Sequence, residues 1–130
     1  MRSHYAWLSD AARFFLVAAL SVTAALKLWG TPPGSLLDPL AARTAAGLEL
    51  ILVGGLVFQR QALWPFVGAL SVAIFGAAIV YASAAPCGCA GPIEMSGTDH
   101  FMLCMTLGFM ACVALVFRSD AARRVGRPPA

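Results

Sequence analysis

The sequence contains few charged residues. Asp, Glu, Lys and Arg make up 12% of its 130 residues, whereas soluble domains carry about 25%. Hydrophobic residues make up 60%, and the mean hydropathy is +0.80. These values exclude an ordinary soluble domain and predict one membrane domain stabilised by helix packing in lipid. The net charge is only +3, and the arginines cluster near predicted helix ends, so we expect no nucleic-acid partner.

The sequence also lacks the signatures of several enzyme classes. It has no recognisable hydrolase triad, no phosphate-binding loop, no pair of Cys-x-x-Cys zinc motifs and no internal repeat. Any chemistry must therefore come from the four cysteines and from the few ionisable residues that interrupt the apolar segments.

Four apolar stretches predict membrane-spanning helices, since a helix needs roughly 20 apolar residues to cross a bilayer. They lie at about residues 11–29, 40–58, 62–85 and 101–117. The last two apolar runs carry no charge, whereas the first contains Lys27 and the second contains Glu49. The predicted fold is an all-α membrane protein, a bundle of four transmembrane helices.

The distribution of basic residues predicts the orientation of this bundle. Only Arg43 lies on one side outside the lipid core, while the other side carries Arg2, Arg13, Arg60, Arg118, Arg123, Arg124 and Arg127. Because basic residues mark the cytoplasmic side, we expect both termini there, with residues 118–130 as a basic cytoplasmic tail. The loop at 86–100, which has no Lys or Arg, then faces the periplasm or cell exterior, where disulfides persist.

Lys27 and Glu49 are predicted to form a buried ion pair. At 1.5 Å per residue, their depths differ by little more than one helical turn, and a charge at such a depth requires a partner. One interpretation is a structural lock between the first two helices. The other places the pair beneath the loop thiols, where a cation stabilises a thiolate or a proton is passed on.

The cysteines are the strongest functional signal. Cys87 and Cys89, one glycine apart, lie in the outer loop, and Cys104 is predicted at the same level of the fourth span. A disulfide closed over so short a ring is strained, and strained, exposed disulfides are typically labile or catalytic. The three thiols fit a redox relay, a structural staple to Cys104, or a thiophilic metal site with His100. Cys112, two turns deeper, is interpreted as a small buried hydrophobe.

Three smaller expectations concern the start of the fourth span. Thr98 and Asp99 are predicted to form its N-cap. His100 is predicted at the helix start, where it could carry a proton beside a thiol. Helical spacing indicates core packing for Met102, Met105 and Met110.

Three motifs, together with the four-span layout, resemble the MauE branch of the DoxX-like membrane proteins. The motifs are Ala25-Leu26-Lys27-Leu28, Gly47-Leu48-Glu49-Leu50 and Cys87-Gly88-Cys89-Ala90-Gly91. Two features depart from the family pattern. Ala90 stands where the family typically has Phe, and Gly97-Thr98-Asp99-His100 replaces a polar stretch with an Arg-Asn type pair.

This resemblance implies a redox protein of the bacterial inner membrane, because MauE is associated with maturation of the disulfide-rich methylamine dehydrogenase. It implies that Cys87 and Cys89 exchange disulfides with an extracytoplasmic thioredoxin-like protein or client, and that Lys27 and Glu49 are the family's charged positions. A membrane quinone is the expected acceptor if electrons move onward. Two alternatives are a copper- or mercury-type metal component and a non-catalytic subunit with a structural disulfide.

Overall fold

Helical segments account for nearly all of the residues that the structure describes. The computed structural model describes residues 2–30, 38–59, 62–82, 92–93 and 95–125, with side chains described from 7 to 117 within those ranges. The helices are α1 (Arg2–Trp29), α2 (Pro39–Phe58), α3 (Trp64–Ala82) and α4 (Gly97–Val125). No strand occurs in these ranges, which confirms the predicted all-α class.

Two local features define the ends of the first two helices. Trp29 is followed by Gly30, whose φ of 155° is a conformation that favours glycine. Asp38 begins α2 as its N-cap, and its side chain accepts a hydrogen bond of 2.6 Å from the backbone N–H of Ala41. Pro39 occupies the first helical position, where its missing N–H and fixed φ cost nothing.

The N-cap of α4 is Ser96, not Thr98 or Asp99 as predicted. The Ser96 hydroxyl accepts the Asp99 backbone N–H at 3.1 Å and donates to the Asp99 carboxylate at 2.7 Å. Ser96 thus satisfies one of the free backbone N–H groups of the first helical turn, in which Asp99 lies. The prediction was wrong because Ser, Thr and Asp all favour caps, and the sequence does not distinguish between neighbouring candidates.

Both outer helices extend beyond the predicted spans. α1 starts at Arg2 rather than near residue 11, and α4 covers 97–125 rather than 101–117. The end of the predicted loop at 86–100 and the start of the predicted tail at 118–130 are therefore helical. α3 begins at Trp64 rather than at 62, and residues 83–85 lie outside the described ranges. Hydropathy predicts only the part of a helix that crosses the lipid. The helix itself can extend into polar sequence whose residues have adequate helix propensity.

The helices pack as a closed ring in which each contacts its neighbours in sequence and α4 returns to α1. The most extensive contact is between α3 and α4. The interior is built from a few large side chains and many alanines, which allow close approach of the backbones. Its best-buried members include Leu16, Leu20, Leu56, Phe66, Ala111 and Ala114.

The outside of the bundle is apolar on every helix. Phe14, Phe58, Phe75 and Phe109 are between 64% and 85% exposed, a surface far more apolar than soluble monomers present to water. Each helix contains a segment long and apolar enough to cross a membrane: Trp7–Trp29, Pro39–Phe58, Trp64–Ala82 and Gly97–Phe117. These observations indicate a multi-pass membrane protein.

Three side chains expected in the interior lie on the outside instead. Met102 is 61% exposed and Met105 is 54% exposed. Cys112 is also exposed, whereas Met110 packs partly against the core. The predicted core positions were wrong for Met102, Met105 and Cys112. An apolar helix in a membrane has no polar face from which its inner side can be inferred.

The turn between α2 and α3 depends on a close approach at Gly55. A Cβ atom built at Gly55 would lie 2.6 Å from ring carbons of Trp64 and 2.9 Å from Pro65. The indole N–H of Trp64 donates to the Gln59 side chain at 2.6 Å, which holds the ring in place. At the neighbouring Gly54, nothing lies within 4 Å of a built Cβ.

We expect Gly55→Ala to destabilise the protein by about 1–3 kcal/mol, the usual cost of overpacking a well-packed contact. Gly54→Ala is the matched control and should be neutral or stabilising by up to about 1 kcal/mol, because alanine has the higher helix propensity. Unfolding in detergent, followed by circular dichroism, measures both. Equal stability of the two variants would show that the Gly55 contact is unimportant.

Candidate functional site

A buried ion pair joins α1 to α2. The Lys27 ammonium donates to the Glu49 carboxylate, and the two residues are only 7% and 3% exposed. Lys27 lies two residues before the end of α1, whereas Glu49 lies near the middle of α2. The predicted pairing is confirmed, so each charge is compensated within the bundle.

Thr23 completes this polar cluster and was missed in the sequence analysis. Its hydroxyl lies 3.0 Å from the second carboxylate oxygen of Glu49 and 3.1 Å from the Leu20 carbonyl, and can donate to either. The spacing of four residues between Thr23 and Lys27, which places both on one helix face, was a signal that could have identified it. Among the described residues, no buried side-chain nitrogen or oxygen lacks a hydrogen-bond partner.

His100 and Cys104 of α4 place an imidazole and a thiol inside the bundle. They lie one helical turn apart, on one face, and are 7% and 6% exposed. His100 therefore lies near the helix start, as predicted, with its side chain in the interior, and Cys104, the eighth residue of α4, carries a free thiol.

Gly76 on α3 makes room for the Cys104 thiol. A Cβ atom at this position would lie 2.9 Å from the Cys104 sulfur, so any side chain there would displace the thiol. Gly76 has no chemistry of its own, and its role depends on the register between α3 and α4, which the sequence does not reveal. It is a second determinant of the site that sequence reasoning missed.

Cys87 and Cys89 lie outside the described residues, but the helices that flank their segment are placed. α3 ends at Ala82, and α4 starts at Gly97. Val80 on α3 lies close to Gly97. A Cβ atom built at Gly97 would be 3.8 Å from a side-chain carbon of Val80. The last turn of α3 and the first residue of α4 therefore lie close together on either side of this segment.

The metal alternative gains no support from the described part of the chain, where no three His, Cys, Asp or Glu side chains converge as metal ligands would. Only His100 and Cys104 of that predicted set are described, and Met102 and Met105 point away from the interior.

The fold and these contacts define a class, a four-helix membrane bundle with a buried ionisable cluster and a thiol at one end. Intramembrane ionisable groups of this kind mark functional sites more often than structural ones. No family model, curated protein or solved structure matches the chain.

Proposed function

We propose that this protein is a membrane thiol–disulfide redox protein. Cys87 and Cys89 exchange disulfides or electrons with an extracytoplasmic thioredoxin-like protein or with a disulfide-containing client. The observation that carries the proposal is the burial of Lys27 near the end of α1 and of His100 and Cys104 near the start of α4, the helix that follows the Cys-Gly-Cys segment. A lysine or a protonated histidine beside a thiol favours the thiolate, the form that attacks disulfides.

Chain length limits how far the two loop thiols can lie from this cluster. Cys87 follows Ala82 by five residues, and Cys89 precedes Gly97 by eight. An extended chain spans at most about 3.6 Å per residue, so the two cysteines stay within roughly 18 Å and 29 Å of those helix ends. The pair therefore stays within these distances of the end of α3 and the start of α4.

The exchange reaction needs only the two thiols and a partner disulfide. One thiolate attacks the partner's disulfide, forming a mixed disulfide and releasing one partner thiolate. The second cysteine then attacks the mixed disulfide, so that the pair becomes a Cys87–Cys89 disulfide and the partner leaves as a dithiol. Two electrons pass to the partner, and the reverse sequence oxidises it. If electrons from the pair continue into the membrane, a quinone is the acceptor that we expect.

Charge and resemblance support the location of this chemistry. The excess of arginine on one side favours cytoplasmic termini, which places the cysteine loop on the periplasmic or exterior side of a bacterial inner membrane. The likeness to the MauE branch of DoxX-like proteins, carried by the Lys27, Glu49 and Cys-Gly-Cys motifs, favours the same setting and a thioredoxin-like partner.

Trapping of mixed disulfides tests the proposal. In cells, Cys87→Ser or Cys89→Ser leaves a single loop thiol that cannot resolve the intermediate, so we expect at least one variant to accumulate a partner adduct that reductant releases. Cys112→Ser is the matched control, because that exposed thiol lies two turns beyond Cys104. The proposal fails if neither loop variant traps a partner, or if both keep the client's disulfides at the wild-type level.

A further inference from the structure

One end of the bundle carries an exposed polar or amphipathic side chain on every helix. Trp29 and Tyr81 lie at the ends of α1 and α3, where their side chains are 85% and 90% exposed. Asp38 and Asp99 lie at the starts of α2 and α4, where both are exposed and their carboxylates accept hydrogen bonds. We refer to these four as the end residues.

The packing of α3 on α4 places two of the end residues at one height. The contact between Gly76 of α3 and Cys104 of α4 fixes the register of these helices. Tyr81 lies five residues beyond Gly76, and Asp99 lies five residues before Cys104. The last turn of α3 approaches the first residue of α4, so the two helices are antiparallel. Both end residues therefore lie about 7.5 Å beyond the Gly76–Cys104 contact, at 1.5 Å per residue.

The packing of α2 on α3 adds the third end residue. The contact between Leu52 of α2 and Gly68 of α3 fixes their register. Asp38 lies 14 residues before Leu52, and Tyr81 lies 13 residues beyond Gly68. Since α2 and α3 are antiparallel across their short turn, Asp38 and Tyr81 lie within about 2 Å of the same height.

The first helix also finishes at this end of the bundle. Near its end, Lys27 pairs with Glu49 of α2. Leu16, three turns earlier in α1, shares the core cluster with Leu56, two turns later in α2. The two helices are therefore antiparallel, which puts Trp29 at the end of the bundle where α2 begins.

The chemistry of the exposed side chains changes with distance from this end. Trp29 and Tyr81 combine an apolar ring with a polar N–H or O–H group, as is typical of side chains at a membrane–water interface. The exposed rings of Phe75 and Phe109, which lie deeper in the spans, are purely apolar. The exposed Arg43, five residues into α2, can reach back toward this end because helical side chains lean toward the N-terminus and arginine is long.

We propose that the end residues mark the plane at which this end of the bundle leaves the hydrocarbon of a phospholipid bilayer. In this arrangement the rings of Trp29 and Tyr81 contact the headgroup and glycerol layer, and the carboxylates of Asp38 and Asp99 face water. The proposal does not rest on the redox chemistry proposed above, because it depends only on helix register and on the exposed side chains.

This plane sets the depth of the buried site. Cys104, five residues beyond Asp99, lies about 7.5 Å below the plane, and Glu49, eleven residues beyond Asp38, lies roughly 16 Å below it. The hydrocarbon core of a bilayer is about 30 Å thick, so the Glu49 carboxylate lies near its middle, where an unpaired charge is most costly. The thiol of Cys104 lies much closer to the headgroups.

Quenching of tryptophan fluorescence by brominated phosphatidylcholine vesicles tests the proposal. Bromine near the glycerol end of the acyl chains (shallow bromine) quenches rings at the boundary, whereas bromine near the chain ends (deep bromine) quenches rings at the bilayer centre. The background is the full-length protein with Trp7, Trp29 and Trp64 replaced by Phe. In that background Tyr81→Trp reports on the proposed boundary, and Phe109→Trp, an exposed position in the middle of the fourth span, is the matched control.

We expect shallow bromine to remove more of the fluorescence than deep bromine for Tyr81→Trp, and the opposite order for Phe109→Trp. A protein that keeps Trp29 as its single tryptophan should behave like Tyr81→Trp. Circular dichroism in the same vesicles shows whether each variant is folded. The same two substitutions in the otherwise wild-type protein give a second measurement, in which only Phe109→Trp should shift quenching toward deep bromine.

The proposal is overturned if deep bromine quenches Tyr81→Trp or Trp29 more strongly than shallow bromine does. It is also overturned if Tyr81→Trp and Phe109→Trp show the same preference, or if neither bromine quenches them. None of these results depends on the loop thiols, so a failure here is distinguishable from a failure of the proposed function.

Discussion

Lys27→Met is expected to lower the free energy of unfolding by about 3–5 kcal/mol, the usual cost of removing one partner of a buried ion pair. The substitution leaves the Glu49 carboxylate, which belongs to a residue only 3% exposed, with the Thr23 hydroxyl as its described hydrogen-bond donor. One neutral hydroxyl does not compensate a full negative charge in a region where water is scarce.

The double variant Lys27→Met/Glu49→Leu distinguishes a lost attraction from an orphaned charge. Because replacing both partners by apolar side chains is often neutral or stabilising by about 1–4 kcal/mol, we expect it to recover most or all of the stability. Equilibrium unfolding in detergent at fixed salt measures the two variants beside the wild type. A double variant as unstable as Lys27→Met would contradict this account and would assign the cost to lost packing.

Ala111→Phe is expected to destabilise the bundle by about 3 kcal/mol or more, at or beyond the upper end of what overpacking usually costs. Ala111 is 0% exposed, in the core cluster that also contains Leu16 and Leu107. A phenyl ring there would force α4 away from its neighbours. In lipid, helices associate through close packing of small residues rather than through expulsion of water. The added apolar surface of the ring therefore does not compensate for the packing contacts that are lost.

The adjacent residue provides the control for this prediction. Cys112→Phe places the same ring one position along α4, on the exposed side, where it meets lipid or detergent. We expect it to change stability by less than about 0.5 kcal/mol, as is usual for surface substitutions. Thermal unfolding and gel filtration of the Ala111→Phe and Cys112→Phe variants in the same detergent provide the measurement. A similar loss of stability in both variants would contradict the placement of α4 in the bundle.

Much of the fold could be predicted from the sequence because bilayer thickness imposes a length on apolar helices. The four spans were located to within a few residues, except where α1 and α4 run on beyond the apolar segments to Arg2 and Val125. The pairing of Lys27 with Glu49 could also be predicted, since two opposite charges at similar depth have few other partners.

Other parts of the site could not be predicted in this way. The sequence did not show which side of each helix faces inward, because apolar residues cover both sides of a membrane helix. It therefore misplaced Met102, Met105 and Cys112, which lie outside, and missed Thr23 and Gly76, whose roles depend on neighbours in other helices. The placement of His100 inside the bundle also required the packing of α4 against α1.

By itself, the sequence determined that this protein is an all-α membrane bundle with one lysine and one glutamate inside it. The length of the apolar segments and the cost of burying a charge can both be read from the order of residues along the chain. Only the tertiary structure decided which thiol lies inside with those charges. Rotation of α4 about its axis turns Cys104 inward, against Gly76, and Cys112 outward. That rotation is set by the fit of small side chains between helices, a property of pairs of surfaces that hydropathy does not encode.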